Sequence, residues 1–190
     1  MNEPKGYKEA QAYGDYTPLE LGGHVCKIMS VEETTSSKDK EMLKISLDIA
    51  EGPQKGYYSE QYRTSTFENK KWGCIVYQFT HDNEGNTNKG LKTFITSVEE
   101  SNAGYKVVWG DTFCQSLKNK LVGGIFGREQ YKNRDGDLRW STKCSQFRSV
   151  ETINKGVEIP EDKPLKGAAK QPEGLPEGYT EIAGDDDLPF

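Results

Sequence analysis

Asn133-Arg134-Asp135-Gly136-Asp137 separates two β-like runs, Leu121–Tyr131 and Leu138–Val150. Asp-Gly between such runs is the strongest short-range hairpin signal a sequence offers, so this stretch predicts a long antiparallel hairpin. With Asp135-Gly136 as a two-residue turn, or Arg134–Asp137 as a four-residue loop, the register sets Lys132 opposite Arg139 and Arg128 opposite Lys143. Tyr131 then opposes Trp140 on the other side of the ribbon. A three- or five-residue loop would break that register. Gly123, Gly124 and Gly127 in the first run predict a bend of the sheet.

Working outward, Leu43, Ile45, Leu47 and Ile49 alternate with Lys44, Ser46 and Asp48, which predicts a strand over Glu41–Ala50 with one buried and one wet face. A first strand is expected over His24–Thr34, opened by Gly22-Gly23, with a polar turn at Thr35–Lys40. The aromatic-rich run Tyr57–Thr64 follows a Pro- and Gly-punctuated loop and predicts a third strand. Trp72–Thr80 is apolar and suits either a strand or a helix. Leu91, Phe94, Ile95 and Val98 make one apolar stripe, predicting a helix over Leu91–Ser101 ended by Asn102-Ala103-Gly104. A second short helix is expected over Thr112–Lys120. The expected fold is mainly β with one or two helices. Five strands, with a helix between the third and fourth, match the order of a five-stranded OB-fold barrel.

Apolar residues are only 33 % of the 190, so a compact domain with an unfolded attachment is expected. The reading divides the chain into an arm (1–20, with Tyr7, Tyr13 and Tyr16), a domain (21–155), a disordered linker (156–184) and a tip (185–190). The net charge of −5 is unevenly spread. Residues 151–190 hold ten acids against four bases, and residues 112–150 hold eight bases against three acids. A basic segment followed by an acidic tail points to an anionic ligand for the body and a separate partner for the tail.

Like charges directly opposed destabilise a strand pair. The two oppositions in the expected register therefore call for an external anion, and a phosphate backbone neutralises several bases at once. Aromatics adjoin bases elsewhere, at Tyr58, Tyr62-Arg63, Lys71-Trp72 and Arg139-Trp140. Single-stranded nucleic acid sites combine a basic groove with aromatic stacking platforms, although aromatics also build cores. The nucleic-acid-binding candidates are Lys44, Tyr58, Tyr62, Arg63, Trp72, Arg128, Lys132, Arg134, Arg139, Trp140 and Lys143. Lys44 with its neighbours, the turn Thr35–Lys40 and the basic hairpin at 128–143 fall on the strand 2–3 face and the loops that bind ligand in an OB-fold.

The linker, with five prolines from Pro160 onward, ends in Asp185-Asp186-Asp187-Leu188-Pro189-Phe190. Such a tip can seat Phe190 in an apolar pocket while a basic rim takes its carboxylates. The six residues closely resemble the acidic tip of bacterial single-stranded DNA-binding proteins. The resemblance implies an OB-fold body and a tip that recruits replication, recombination and repair proteins. The body resembles the variant members encoded by phages and prophages of Gram-positive bacteria, on Gly22–Ile28, Phe94–Glu99 and Ser145–Glu151. It implies single-stranded DNA as the ligand and the cytoplasm of a bacterial host as the location. Housekeeping members are typically tetramers, so a homo-oligomer is possible here.

Other classes are disfavoured. No run approaches the ~18 apolar residues of a membrane span, and Met1–Lys5 opens no secretory signal. Cys26, Cys74, Cys114 and Cys144 with His24 and His81 lack zinc-ligand spacing. Asp82-x-Glu84-x-Asn86 lacks the Gly and the final Glu of a calcium loop. GxSxG, Walker and HExxH motifs are absent, and Glu32-Glu33 and Glu99-Glu100 point to different faces. A non-enzymatic protein without metal or cofactor is expected. The alternative within that class is a protein-interaction adaptor with an OB-like body and a recruiting tail.

Overall fold

The computed structural model describes Glu3 and residues 17–165. The chain runs β1 (Gly22–Thr35), β2 (Glu41–Ile49), α1 (Tyr57–Thr64), β3 (Ile75–Phe79), α2 (Lys89–Ser101), α3 (Phe113–Leu117), β4 (Leu121–Lys132), β5 (Leu138–Arg148) and α4 (Val150–Asn154). The strands form one antiparallel sheet in the order β3-β2-β1-β4-β5. The mainly β architecture, a sheet of five strands and a helix ahead of β4 follow the sequence reading, but β3 comes from the apolar run Trp72–Thr80 and not from the expected third strand, and there are four helices where one or two were expected. The sheet is not closed, and β3 and β5 are its two edges. Cys74, just before β3, and Cys144 of β5 face each other across that gap.

The apolar alternation of β2 puts Leu43, Ile45, Leu47 and Ile49 in the core, beside Ile28 and Val31 of β1 and Val122 and Phe126 of β4. The stripe of α2 closes the core from above, with Phe94 against Phe147 at 4.7 Å between ring centroids. Asn102 ties the end of α2 to the start of β4. Its amide donates to the Val98 and Leu121 carbonyls, and its carbonyl accepts from the Leu121 N–H at 3.0 Å. The four cysteines are free, and burial pushes the Cys74 thiol up to about 12. Such thiols stay protonated at neutral pH and pack as small hydrophobes.

Two expectations are corrected. The run Tyr57–Thr64 is a helix, not a strand. Asp48 decides this: buried at the end of β2, it accepts from the N–H groups of Tyr58 (2.9 Å) and Ser59 (3.3 Å) and from the Ser59 hydroxyl. Orphan donors of a first helical turn need such acceptors, and here a carboxylate from another element supplies them. For the same reason β2 is not wet along its whole polar face, because Ser46 and Asp48 are buried.

The β4 glycines have a further role beside the expected bend. An added Cβ at Gly123 would lie 2.4 Å from Ile153 and 2.7 Å from the Arg148 carbonyl, and at Gly124 it would meet Phe126, Cys144 and Cys26. The glycines serve close approach, letting α4 and the core sulfurs onto the strand. The second correction is the linker boundary. Val157 and Ile159 pack beside Gly23 and Gly22 of β1, and residues 160–165 continue along β4 where β1 has ended. Pro160 lies over Gly127, the Lys163 N–H donates to the Arg128 carbonyl, and the Gln130 N–H donates to the Lys163 carbonyl, both at 2.9 Å. The remainder of the expected linker lies outside the described residues, as do the tip and Tyr7, Tyr13 and Tyr16.

Asp48→Ala removes the tertiary cap of α1 and leaves its donors unpaired. The expected loss of unfolding free energy is about 2 kcal/mol, read as a lower urea midpoint with an unchanged slope.

Candidate nucleic-acid interface

The hairpin tip is built differently from the expected turn. The Asn133 side-chain carbonyl accepts from the N–H groups of Asp135 (3.0 Å) and Asp137 (2.8 Å), and the Asn133 N–H donates to the Asp137 carbonyl. Gly136 takes φ +87° whereas Asp135 does not enter the left-handed region. This leaves a three-residue loop, Arg134–Gly136, ending in a left-handed glycine, the commonest alternative to the two-residue turn. The register moves by one. Lys132 opposes Leu138, Arg128 opposes Thr142, and Gly127 opposes Lys143. The expected like-charge oppositions do not occur, and Tyr131 and Trp140 fall on opposite faces. Nearer the base, a bulge at Ser145 shifts the pairing back, so that Ile125 opposes Gln146.

In this register the hairpin's bases find protein partners. Arg128 lies over the Trp140 ring at 5.4 Å and forks onto Asp162, with Nε–Oδ1 at 2.8 Å. Those bonds hold the Asp162 carboxyl below its usual range. Lys143 and Lys163 both reach Glu129 at 3.2 Å. Burial disfavours the Glu129 carboxylate, but the two ammonium groups outweigh it and keep the carboxyl below its ordinary value. Arg139 pairs with Asp137 at 3.3 Å. Lys132 and Arg134 have no ion pair among the described residues.

A second group of the candidates converges elsewhere. Lys44, Tyr62 and Trp72 line a groove of about 550 Å³ on the outer face of β1, β2 and β3. The residues of each strand alternate so that Glu32, Lys44 and Tyr77 stand in one cross-strand row. A bulge between Ile28 and Ser30 adds Met29 to the same wall. The far wall comes from α1 and the connector to β3. Trp72 donates its indole N–H to the Leu47 carbonyl at 2.7 Å, which fixes the ring. Tyr62 lies 5.6 Å from it, tilted by 41°, with the Lys70 ammonium 5.7 Å from the Tyr62 centroid. Tyr77 is 56 % exposed and Tyr62 41 %. Lys70 and Lys71 are exposed on the same wall, whereas Lys44 is held by Glu32 at 3.0 Å.

The remaining candidates separate from this groove. Tyr58 is only 4 % exposed and packs edge-on against Tyr57, so it is a core residue. Arg63 is exposed but clamped by Glu60 of its own helix. Sequence reasoning missed Tyr77 and Lys70. Strand alternation over Ile75–Phe79 would have placed Tyr77 outward, but nothing local marks Lys70. No family model matches the chain, and no curated protein matches it.

Residues 161–165 are held to β4 by the carboxylates of Glu129 and Asp162. Both carboxyls are lowered in the folded protein. Their contribution is therefore present above the unfolded carboxylate range and is lost as pH falls through the folded values. The double change Glu129→Gln with Asp162→Asn should give the same loosening at neutral pH. Amide exchange at Gln130 and Lys163 is expected to quicken by roughly three- to tenfold, with the core amides of β1 and β2 unchanged.

Proposed function

We propose that this protein binds single-stranded DNA without sequence preference, protecting it during replication and recombination of a phage or its bacterial host. The observation that carries the reading is the open groove in which Tyr62, Trp72 and Tyr77 present aromatic surface beside Lys70 and Lys71. Flexible single strands offer every base as a π-face and every linkage as an anion, so aromatic platforms set among ammonium groups bind them regardless of sequence. The β4–β5 hairpin adds Lys132 and Arg134 at its tip and Trp140, 42 % exposed, on its face. Arg128, Lys143 and Arg139 would join by exchanging their carboxylates for phosphates.

The strand order supports an OB-like body, because it is that of a five-stranded barrel opened between β3 and β5. The Cys74–Cys144 contact lies at that opening. The acidic tip, Asp185–Phe190, would recruit replication, recombination and repair proteins, acting in the cytoplasm of a bacterial cell.

Tryptophan fluorescence titrated with oligothymidine tests the reading. Saturable quenching is expected, with affinity falling as salt rises. Each of Tyr77→Ala and Trp72→Ala should cost about 1–3 kcal/mol of binding. Lys70→Ala with Lys71→Ala should flatten the slope of log K against log salt by roughly 1.4. A flat titration at low salt would overturn the proposal and leave the adaptor reading. Deleting residues 185–190 should leave DNA affinity intact while ending capture of recombination enzymes. Loss of DNA affinity would refute that division.

A further inference from the structure

The face of the β1–β2 hairpin opposite Lys44 carries a second, larger groove, of about 1050 Å³. Its floor is apolar, made by Leu43 of β2 and by Leu91 and Ile95 of α2. One wall is Trp109, 65 % exposed, whose ring stacks flat on the buried Phe113 at 4.9 Å and 9°. A tryptophan held open to solvent by a stacked partner is a platform without an occupant among the described residues.

The rim is acidic. Glu33, Glu41 and Asp111 line it, and Lys92 is the one ammonium group among the lining residues. Glu41 faces His81 at 3.4 Å, while Glu33 and Asp111 have no ion pair among the described residues. Threonine hydroxyls at Thr34 and Thr87 add donors and acceptors suited to a main chain. Such a rim repels nucleic acid, and it repels this chain's own tail, which carries ten acids against four bases from 151 to 190.

We propose that this groove docks a lysine- or arginine-rich peptide segment of a partner protein. One cationic side chain of the segment lies over Trp109, as cation–π geometry favours. Its neighbours meet Glu33 and Asp111, and its apolar residues cover Leu43 and Ile95. The site shares only Glu32 of β1 with the nucleic-acid groove, and differs from it in sign of charge and in every other lining residue, so neither reading depends on the other.

The test uses the full chain and a synthetic Lys/Leu peptide of about twelve residues, long enough in extended form to cross the groove at ~3.3 Å per residue. Its Glu/Leu counterpart and oligothymidine are the controls. With Trp72→Phe and Trp140→Phe, Trp109 is the sole tryptophan. The Lys/Leu peptide should shift its emission saturably, and neither control should. Calorimetry on the otherwise unaltered chain repeats the titration without relying on that double variant. Trp109→Ala should weaken binding roughly tenfold, and Glu33→Gln and Asp111→Asn roughly three- to fivefold each. Binding undiminished by all three changes would overturn the proposal by placing the peptide on the acidic tail. A Trp109 response to oligothymidine would overturn it in favour of nucleic acid. Concentration-dependent self-association abolished by Asp111→Asn would overturn it in favour of a second copy's basic hairpin.

Discussion

Asp48 is a carboxylate buried at the end of β2 with no ion pair among the described residues, and its oxygens face the first turn of α1. A buried charge is tolerated when hydrogen bonds replace its water, and four donors do so here, from Ile49, Tyr58 and Ser59. The constraint fixes more than one helix. α1 carries Tyr62, and the connector it launches carries Lys70, Lys71 and Trp72. Were Tyr57–Thr64 a strand beside β2, it would lie in the plane of the sheet, and the outer face would lose the far wall that Tyr62 and the connector supply. The aromatic groove is thus a consequence of a cap supplied from outside the helix it caps.

Charge in this protein is organised by pairing more than by count. The basic run that stands out in the sequence is answered within the fold on the hairpin's face: Asp162 takes Arg128, Glu129 takes Lys143 together with Lys163 from beyond the run, and Asp137 takes Arg139. Two of these bonds involve residues 162 and 163, which the sequence assigns to a linker. The segment therefore screens the hairpin while extending the sheet along β4. Among the described bases without a carboxylate partner, Lys70 and Lys71 stand at the groove and Lys132 and Arg134 at the hairpin tip. These exposed pairs are individually weak, so an incoming polyanion can displace them.

Legibility followed the range of the interactions. β2 and α2 were readable because periods of two and of three to four mark an apolar face, and β1 because Gly22-Gly23 and a polar turn bracket it; their bounds fall within a residue or two of the expected ones. Tyr57–Thr64 was not, because its aromatic content favours a strand and the deciding partner, Asp48, lies ten residues from Tyr58. The hairpin was readable but its register was not. Asp-Gly suits two turn types, and the Asn133 side chain selects the one that shifts every pair by one residue. α4 had a signal that went unused: Ser149 accepts from the Thr152 N–H, as an N-cap serine does. Within the candidate site, Lys44 was marked by its place in β2 and Tyr62 and Trp72 by the bases beside them, and the fold brings the three to one groove. Tyr58 was misplaced because sequence does not distinguish a stacking ring from a core ring.

The close approach at Gly23 and Gly123 sets an order of assembly. Ile153 packs against both positions, one in β1 and one in β4. During synthesis β1 emerges early but finds its β4 partner only after roughly 100 further residues, a separation that makes such pairing slow. Even then the seam between the two strands stays uncovered until α4 and the segment behind it have left the ribosome. The β1–β2 hairpin and α2 can form while they wait, because their contacts are local or nearly so. A chain truncated before Ile153 would retain most of its residues yet expose the joint between its first and fourth strands, and would meet other nascent chains through it.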